Sequence, residues 1–323
     1  MYLAPDGEET EIAAAASAFL GDAMPIGRLH KPDCADMPPA LRGLLGEMGW
    51  FALTVPENLG GSGLSSVEHA LFFREAGRQC APVDLLAQSL AANAVEDTGL
   101  RKVLIAGEAG VGLLVADGET FRLFGGSDAA WGLLVAEDKA SLHALAGLDA
   151  RPCPSLDPAN SMRILAPLPA PDHSIATTWI WQLGQLGTAA MLVGIAESAL
   201  DLIVEYAKLR ETFGRKIGSW QAVRHPCADM AVRLEAARSQ LWYAAAAMKE
   251  ARGDAPAHLD TAKHLANQAA LANTDSCIQL HGGIGVSDEH DAHLLLKHAL
   301  LLSRLFGAKR TLLARLLHAQ LED

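Results

Sequence analysis

Aromatic side chains are scarce in this chain of 323 residues: Phe, Trp and Tyr together make 5%, while 50% of residues are hydrophobic. A core with so few rings must be filled by Ala, Leu and Val, a composition that favours helices. Positive charge is short as well, with 26 Lys and Arg against 38 Asp and Glu and a formal net charge of −12. That balance argues against nucleic-acid binding and against adhesion to anionic membranes. Unbroken apolar runs of membrane length, about 18 residues, are missing, so no membrane span is expected. The first residues, Met-Tyr-Leu-Ala-Pro-Asp-Gly-Glu-Glu, hold neither the basic nor the apolar part of a secretory leader. Cysteine is limited to Cys34, Cys80, Cys153, Cys227 and Cys277, an odd number without a C-x-x-C pair. These read as reduced thiols of a cytoplasmic protein, packed as small hydrophobes.

What is present falls into three textures. Helical spacing predicts helices over 8–22, 38–49, 66–79 and 83–97, within an N-terminal domain of residues 1–106. Gly60-Gly61-Ser62-Gly63 has the wrong spacing for a dinucleotide or phosphate loop. Ser65-x-x-Glu68 just after it is a capping box, which explains the local chemistry without a ligand. Residues 107–175 carry short apolar runs at 111–116, 121–124, 131–136, 141–145 and 163–166, predicting a small β-domain of four to six strands. The segment from Arg151 holds Pro152, Pro154 and Pro158 and is expected to be loop. Residues 176–323 return to helical spacing. Four long helices are predicted, at 177–209, 219–251, 257–280 and 287–320, forming a bundle. The fold class is therefore mainly α with a small β middle domain.

Two stretches carry chemistry. Gln279-Leu-His-Gly-Gly-Ile-Gly285 ends one predicted helix, and another is expected to begin at Ser287. Its N-terminus beside Gly282, Gly283 and Gly285 would make an anion cradle, although a lone glycine turn between helices explains the same residues. The second stretch is Arg210-Glu-Thr-Phe213-Gly-Arg-Lys-Ile-Gly-Ser-Trp-Gln221. Around the first, His281, His290, His293 and His298 cluster. His290 and His293 are spaced as a metal pair, but only Glu289 and Asp291 are at hand to complete a set, and no metal is expected.

Together these stretches resemble the R-x-x-F-G…Q and Q-x-x-G-G-x-G motifs of the acyl-CoA dehydrogenase family. Val55-Pro-Glu-Asn-Leu-Gly-Gly-Ser-Gly-Leu64 and Arg74-Glu-Ala-Gly-Arg78 are a third match. The resemblance implies an N-terminal helical domain, a β middle domain and a C-terminal four-helix bundle. It also implies FAD shared across a subunit interface, with its adenosine diphosphate end gripped by Arg210, Phe213, Gln221, Gln279, Gly282 and Gly283. Arg supplies a charged fork for diphosphate, Phe an apolar face, Gln an amide and the glycines close backbone approach.

The family's catalytic glutamate is missing. Twenty-seven residues after Gln279 stands Phe306, followed by the expected Gly307. The alternative position, twenty-six before Arg210, is Gly184, followed by Gln185 where the family has Arg. Neither can accept a proton, so no catalytic residue is assigned. Glu197 and Asp201 lie too far along the helix from Gly184 and read as surface or interhelical charges. The family's T-E-P-x-x-G-S-D-like loop and W-I-T-N-G-like strand are also missing, Gly125-Gly-Ser-Asp128 being a faint echo.

That combination resembles the short, degenerate subunits of heteromeric (α2β2) acyl-CoA dehydrogenases of bacterial steroid side-chain breakdown. The resemblance implies a full-length partner subunit that performs α,β-dehydrogenation of a bulky acyl-CoA, with electrons passed to an electron-transfer flavoprotein. Two alternatives stay open. One is a self-sufficient homo-oligomer, either a dehydrogenase using a base such as Glu289 or a flavin monooxygenase cousin. The other is a flavin-free scaffold subunit.

Overall fold

The computed structural model describes residues 7–31 and 36–321. The change from helix to strand and back falls between Ile105 and Gly110 and between Ala176 and Trp179. The chain packs as two compact units: one from the described parts of 1–31, 70–80 and 185–323, the other from those of 32–69 and 81–184. Cys34 lies outside the described residues, and the other four cysteines are free thiols.

The first helices are α1 (Gly7–Ala23), α2 (Pro39–Glu47), α3 (Ser66–Arg78), α4 (Val83–Ala94) and α5 (Thr98–Ile105). The capping box forms as read: Ser65 N and Oγ both reach Glu68 Oε2 (2.8 and 2.5 Å), and Val67 N donates to Ser65 Oγ. The helix expected over 83–97 ends at Ala94, and a further helix, α5, follows it. Asp97 is extended, and its carboxylate accepts from Leu100 N at 2.7 Å, so it starts α5 instead of ending α4.

The β-unit is one seven-stranded sheet, larger than the four to six strands expected. In chain order its strands are β1 (Gly110–Asp117), β2 (Thr120–Phe124), β3 (Ala129–Val135), β4 (Lys139–Ala144), β5 (Ala150–Cys153), β6 (Met162–Leu165) and β7 (His173–Ala176). Their spatial order is β5-β6-β2-β1-β3-β4-β7, with β1 and β3 parallel and every other pair antiparallel. The two strands not foreseen, β5 and β7, are the edges. Pro152 sits in β5, where an edge strand tolerates the missing N–H, so the segment read as loop pairs along one side only. Leu114, Leu123 and Leu165 form the buried seam of the sheet, under Phe121, Leu134 and Leu145.

The helical unit contains α6 (Trp179–Leu209), α7 (Gln221–Lys249) and α8 (Ala255–His281), close to expectation. By length and composition α6 could cross a membrane, but 72% of its most apolar stretch is buried within the protein, the environment of a core helix. Within this unit α3 and α6 cross at two glycines. A Cβ on Gly77 would lie 2.0 Å from Met191 O, and one on Gly194 would lie 2.0 Å from Arg74 O. Beside the crossing, the buried Glu197 takes Arg74 Nε at 2.8 Å, and Arg78 bridges Glu197 and Asp201. These are the interhelical charges anticipated. Asn273 on α8 donates to Met230 O of α7 and accepts from Arg233 Nε, fixing those two helices in register.

The helix expected over 287–320 is broken. A 3-10 turn covers Gly282–Val286, and the helices are α9 (Ala292–Leu302) and α10 (Lys309–Leu316). Phe306 and Gly307 take φ of 51° and 120° between them, outside the helical region. Lys309 and Arg310 therefore lie in the first turn of α10, and Arg315 binds Asp260.

Candidate cofactor-binding face

Arg210 follows the last residue of α6 and opens a two-stranded hairpin, β8 (Glu211–Thr212) and β9 (Arg215–Lys216), with Glu211 opposite Lys216 and Thr212 opposite Arg215. The two connecting residues are Phe213 and Gly214, at φ of 50° and 75°. Positive φ at both central positions is the geometry of the tightest hairpin turns. Glycine meets it freely, whereas phenylalanine does so at a cost of about 1–2 kcal/mol. The strained Phe213 is also 94% exposed. The unfavourable backbone thus holds a large apolar side chain out from the chain's own surface. The hairpin itself is stapled by the Lys216–Glu211 ion pair at 2.7 Å and by Lys216 Nζ on Leu209 O.

The second motif ends α8. Gln279, Gly282 and Gly283 are exposed, while His281 is buried. Gly282 takes φ of 67°, and a Cβ on either Gly282 or Gly283 would meet nothing within 4 Å. The backbone there is open on the side a ligand would approach. The expected helix start at Ser287 is not found. Ser287 N bonds Ile284 O and His290 N bonds Ser287 O, so the chain turns twice more before α9. The anion cradle of a helix N-terminus beside the glycines is therefore absent, and any grip must come from side chains and the glycine backbone.

The two motifs meet at one end of the bundle. Tyr206, four residues before Arg210, stacks on His281 at 4.5 Å between ring centroids, and His281 stacks on His290 at 4.4 Å. His281 Nδ1–H donates to Cys277 O at 2.7 Å. Burial lowers the pKa of His281, and the neighbouring His290 lowers it further against that hydrogen bond. Burial also lowers that of His290. The stack is thus one of neutral rings. His290 and His293, spaced as a metal pair, are engaged separately: the first on His281, the second edge-on to His30 at 6.4 Å.

Arg210, Gln221 and Gln279 are exposed, and among the described residues their side chains make no hydrogen bond or ion pair. A free guanidinium, two free amides and two open glycines fit an adenosine diphosphate group. That is the test FAD must pass at this face. All six residues named from sequence belong to the same compact unit. Sequence reasoning missed the Tyr206–His281–His290 stack that brings the motifs together. The only hint was an aromatic residue one turn before Arg210.

The position of the family base is closed. Phe306 is 7% exposed. Next to it, Gln185 Nε2 lies 3.5 Å from where a Cβ of Gly307 would sit and donates to Asp260 Oδ1 at 2.7 Å. Arg315 binds both oxygens of Asp260, at 2.8 and 2.6 Å. That carboxylate has its lone pairs taken and is not placed to remove a proton. Lys263, fully buried, donates to Asn267 Oδ1 and to Leu302 O, both at 2.9 Å, and so holds the last turn of α9 just before Phe306. This network gave no sequence signal beyond Gln185 replacing the family's Arg.

Comparison with known proteins agrees with this geometry. Family models for the acyl-CoA dehydrogenase N-terminal and C-terminal domains match residues 6–102 and 176–321. The acyl-CoA dehydrogenase IpdE2 of Mycobacterium tuberculosis is 35% identical over 280 residues, 84% of this chain and 83% of that one. A structure of the Tcur3481–Tcur3483 steroid ACAD superposes with a TM-score of 0.80 at 25% identity, covering 96% of this chain and 97% of that one. The ChsE4–ChsE5 complex of M. tuberculosis superposes equally well, at 22% identity over 98% of each chain. By domain matches, by extensive identity and by fold, the chain belongs to the acyl-CoA dehydrogenase family.

Proposed function

We propose that this chain is the short subunit of a heteromeric acyl-CoA dehydrogenase, completing the FAD site of a full-length partner and not catalytic by itself. The observation that carries the reading is the contrast between two places in one unit. The gripping residues Arg210, Phe213, Gln221, Gln279, Gly282 and Gly283 are intact and exposed, whereas the base position is a buried phenylalanine.

When bound, FAD accepts the hydride in this family's chemistry. This chain's own part is to bind and orient. Arg210 would hold the diphosphate, Gln221 and Gln279 would offer amide groups, and Phe213 would cover the nucleotide or the partner surface. Similarity to proteins described as a steroid ACAD and as a two-component complex supports a bulky, steroid-type acyl-CoA as the complex's substrate. An electron-transfer flavoprotein is the proposed acceptor. The free thiols suit a reducing, cytoplasmic compartment.

The test is a visible spectrum and a solution mass, first of the chain alone and then of the chain co-expressed with full-length relatives. Flavin absorbance is expected only in the mixed complex. Arg210→Ala in that complex should remove it. Stoichiometric flavin on a homo-oligomer that turns over an acyl-CoA would overturn the proposal. A stable complex that stays colourless would point to the scaffold reading instead.

A further inference from the structure

The glycine turn is held from outside by one residue that no motif contains. His30 closes a 3-10 segment, Ile26–His30. Its Nδ1 lies 2.8 Å from Asp288 O and its Nε2 lies 2.6 Å from Asp291 Oδ1. Both residues belong to the 287–291 connection that joins the glycine turn to α9. The segment preceding His30 is itself anchored in the same unit, with Ile26 N on Gln79 Oε1 and Arg28 on the carbonyls of Gln79 and Cys80. His30 therefore grips the connection from a fixed base.

The chemistry of that grip is selective. A backbone carbonyl only accepts hydrogen bonds, and so does an ionised carboxylate. A neutral imidazole has one N–H and one bare nitrogen, so it would satisfy one of these acceptors and set a lone pair against the other. Only the doubly protonated ring donates to both. We propose that His30 is a positioning residue for the glycine turn, acting as an imidazolium that ties the 26–30 segment to Asp288 and Asp291. Why the turn's order matters rests on the cofactor-binding reading above, but the latch itself does not.

The surroundings are consistent with one charge at this place. The groups around His30 are the carboxylate of Asp291 and the rings of His290 and His293, with the charges of Asp288 and Lys297 acting on His293. Burial lowers the pKa of both His290 and His293, and in each case the charge on His30 adds to the lowering. In the proposed arrangement His30 carries the proton, and its neighbours stay neutral and stack. His281 and His290, at the two ends of the loop, close its base. The imidazolium of His30 fixes its far side.

The experiment uses the full chain labelled with ¹⁵N-histidine, read by long-range proton–nitrogen correlation at about pH 6. His30 is expected to show two protonated ring nitrogens, and His290 and His293 the neutral pattern. Asp291→Asn, which removes the carboxylate charge but keeps the fold, should move His30 to the neutral pattern. A neutral His30 in the unsubstituted chain would overturn the proposal. A second readout tests positioning. Amide-exchange protection of residues 282–290 should be about fivefold lower in His30→Phe than in the parent chain, the scale of one partly exposed ion pair. Equal protection in the two proteins would overturn the positioning role. Neither measurement involves flavin, so failure of the cofactor-binding reading would leave both outcomes interpretable.

Discussion

Tyr206 and His281 stack with their ring centroids 4.5 Å apart and their planes tilted by 34°. One ring stands near the end of α6 and the other at the end of α8, so this contact joins two motifs that are distant in sequence. Arg210 leaves α6 one turn after Tyr206, and Gly282 follows His281 directly. The contact sets where the guanidinium and the open glycine backbone stand relative to each other.

Tyr206→Ala should therefore damage binding more than folding. A half-buried ring lost from one stack is expected to cost about 2 kcal/mol, measurable as a shift in the urea midpoint of the isolated chain. In the mixed complex the same variant should lose most of its flavin on gel filtration, while Tyr206→Phe keeps it. Equal flavin retention in all three proteins would show that the stack does not organise the face.

Two glycines of this unit should respond oppositely to the same change. Gly194→Ala places a methyl where Arg74 O now lies, at 2.0 Å. Backbone must move, and a loss of about 3 kcal/mol or more is expected. Gly283→Ala meets nothing within 4 Å, so its unfolding midpoint should stay within about 0.5 kcal/mol of the parent. On the proposed function its effect falls in the mixed complex, where a methyl at the glycine turn should weaken flavin binding roughly tenfold. Thermal melts of the chain and flavin retention by the complex separate the two roles.

Much of this was legible because the responsible chemistry is local. Short apolar runs between Gly and Asp turns give β1 to β4 and β6 at the expected places, and the Ser65–Glu68 box acts on its immediate neighbours. The failures are where tertiary contacts decide. Apolar residues continue at helical spacing from Leu294 through Phe306 to Leu316, and no proline interrupts them. Yet the helix breaks at Phe306 and Gly307, and Lys263 on another helix takes the carbonyl of Leu302. The edge strands β5 and β7 are four residues each and pair on one side, leaving too little alternation to read. The residues proposed to grip the cofactor were named from sequence because a motif is a fixed spacing. The Tyr206 and His30 contacts were not, because they exist only between distant segments.

Asp84 supplies a pH dependence of stability. It is 4% exposed and accepts from Met37 N at 3.3 Å. Burial first, and then the charge of Asp36, raises its pKa from 3.8 to about 7. The folded chain keeps a proton that the unfolded chain has released. This contribution to stability is full below about pH 4 and is lost as pH rises towards 7, by about 3 kcal/mol. Asp84→Asn keeps an acceptor for Met37 and never ionises. The stability difference, variant minus parent, should grow by that amount between pH 4 and pH 7.5 in urea titrations. A difference independent of pH would mean that the carboxyl is charged throughout.

The sharpest prediction concerns Phe306, because restoring the family's residue tests what else is missing. Phe306→Glu puts a carboxylate in a position 7% exposed, behind a turn where Gln185, Asp260 and Arg315 already satisfy one another. Burying that charge without a partner should cost about 3 kcal/mol. If the base were the only loss, the variant should dehydrogenate an acyl-CoA with bound flavin and no partner. The expected outcome is no turnover by the chain alone, because the sequence between residues 107 and 175 lacks the T-E-P-x-x-G-S-D-like and W-I-T-N-G-like motifs of the family. Turnover by the lone variant would show that this chain still builds a complete flavin site and that a single substitution silenced it.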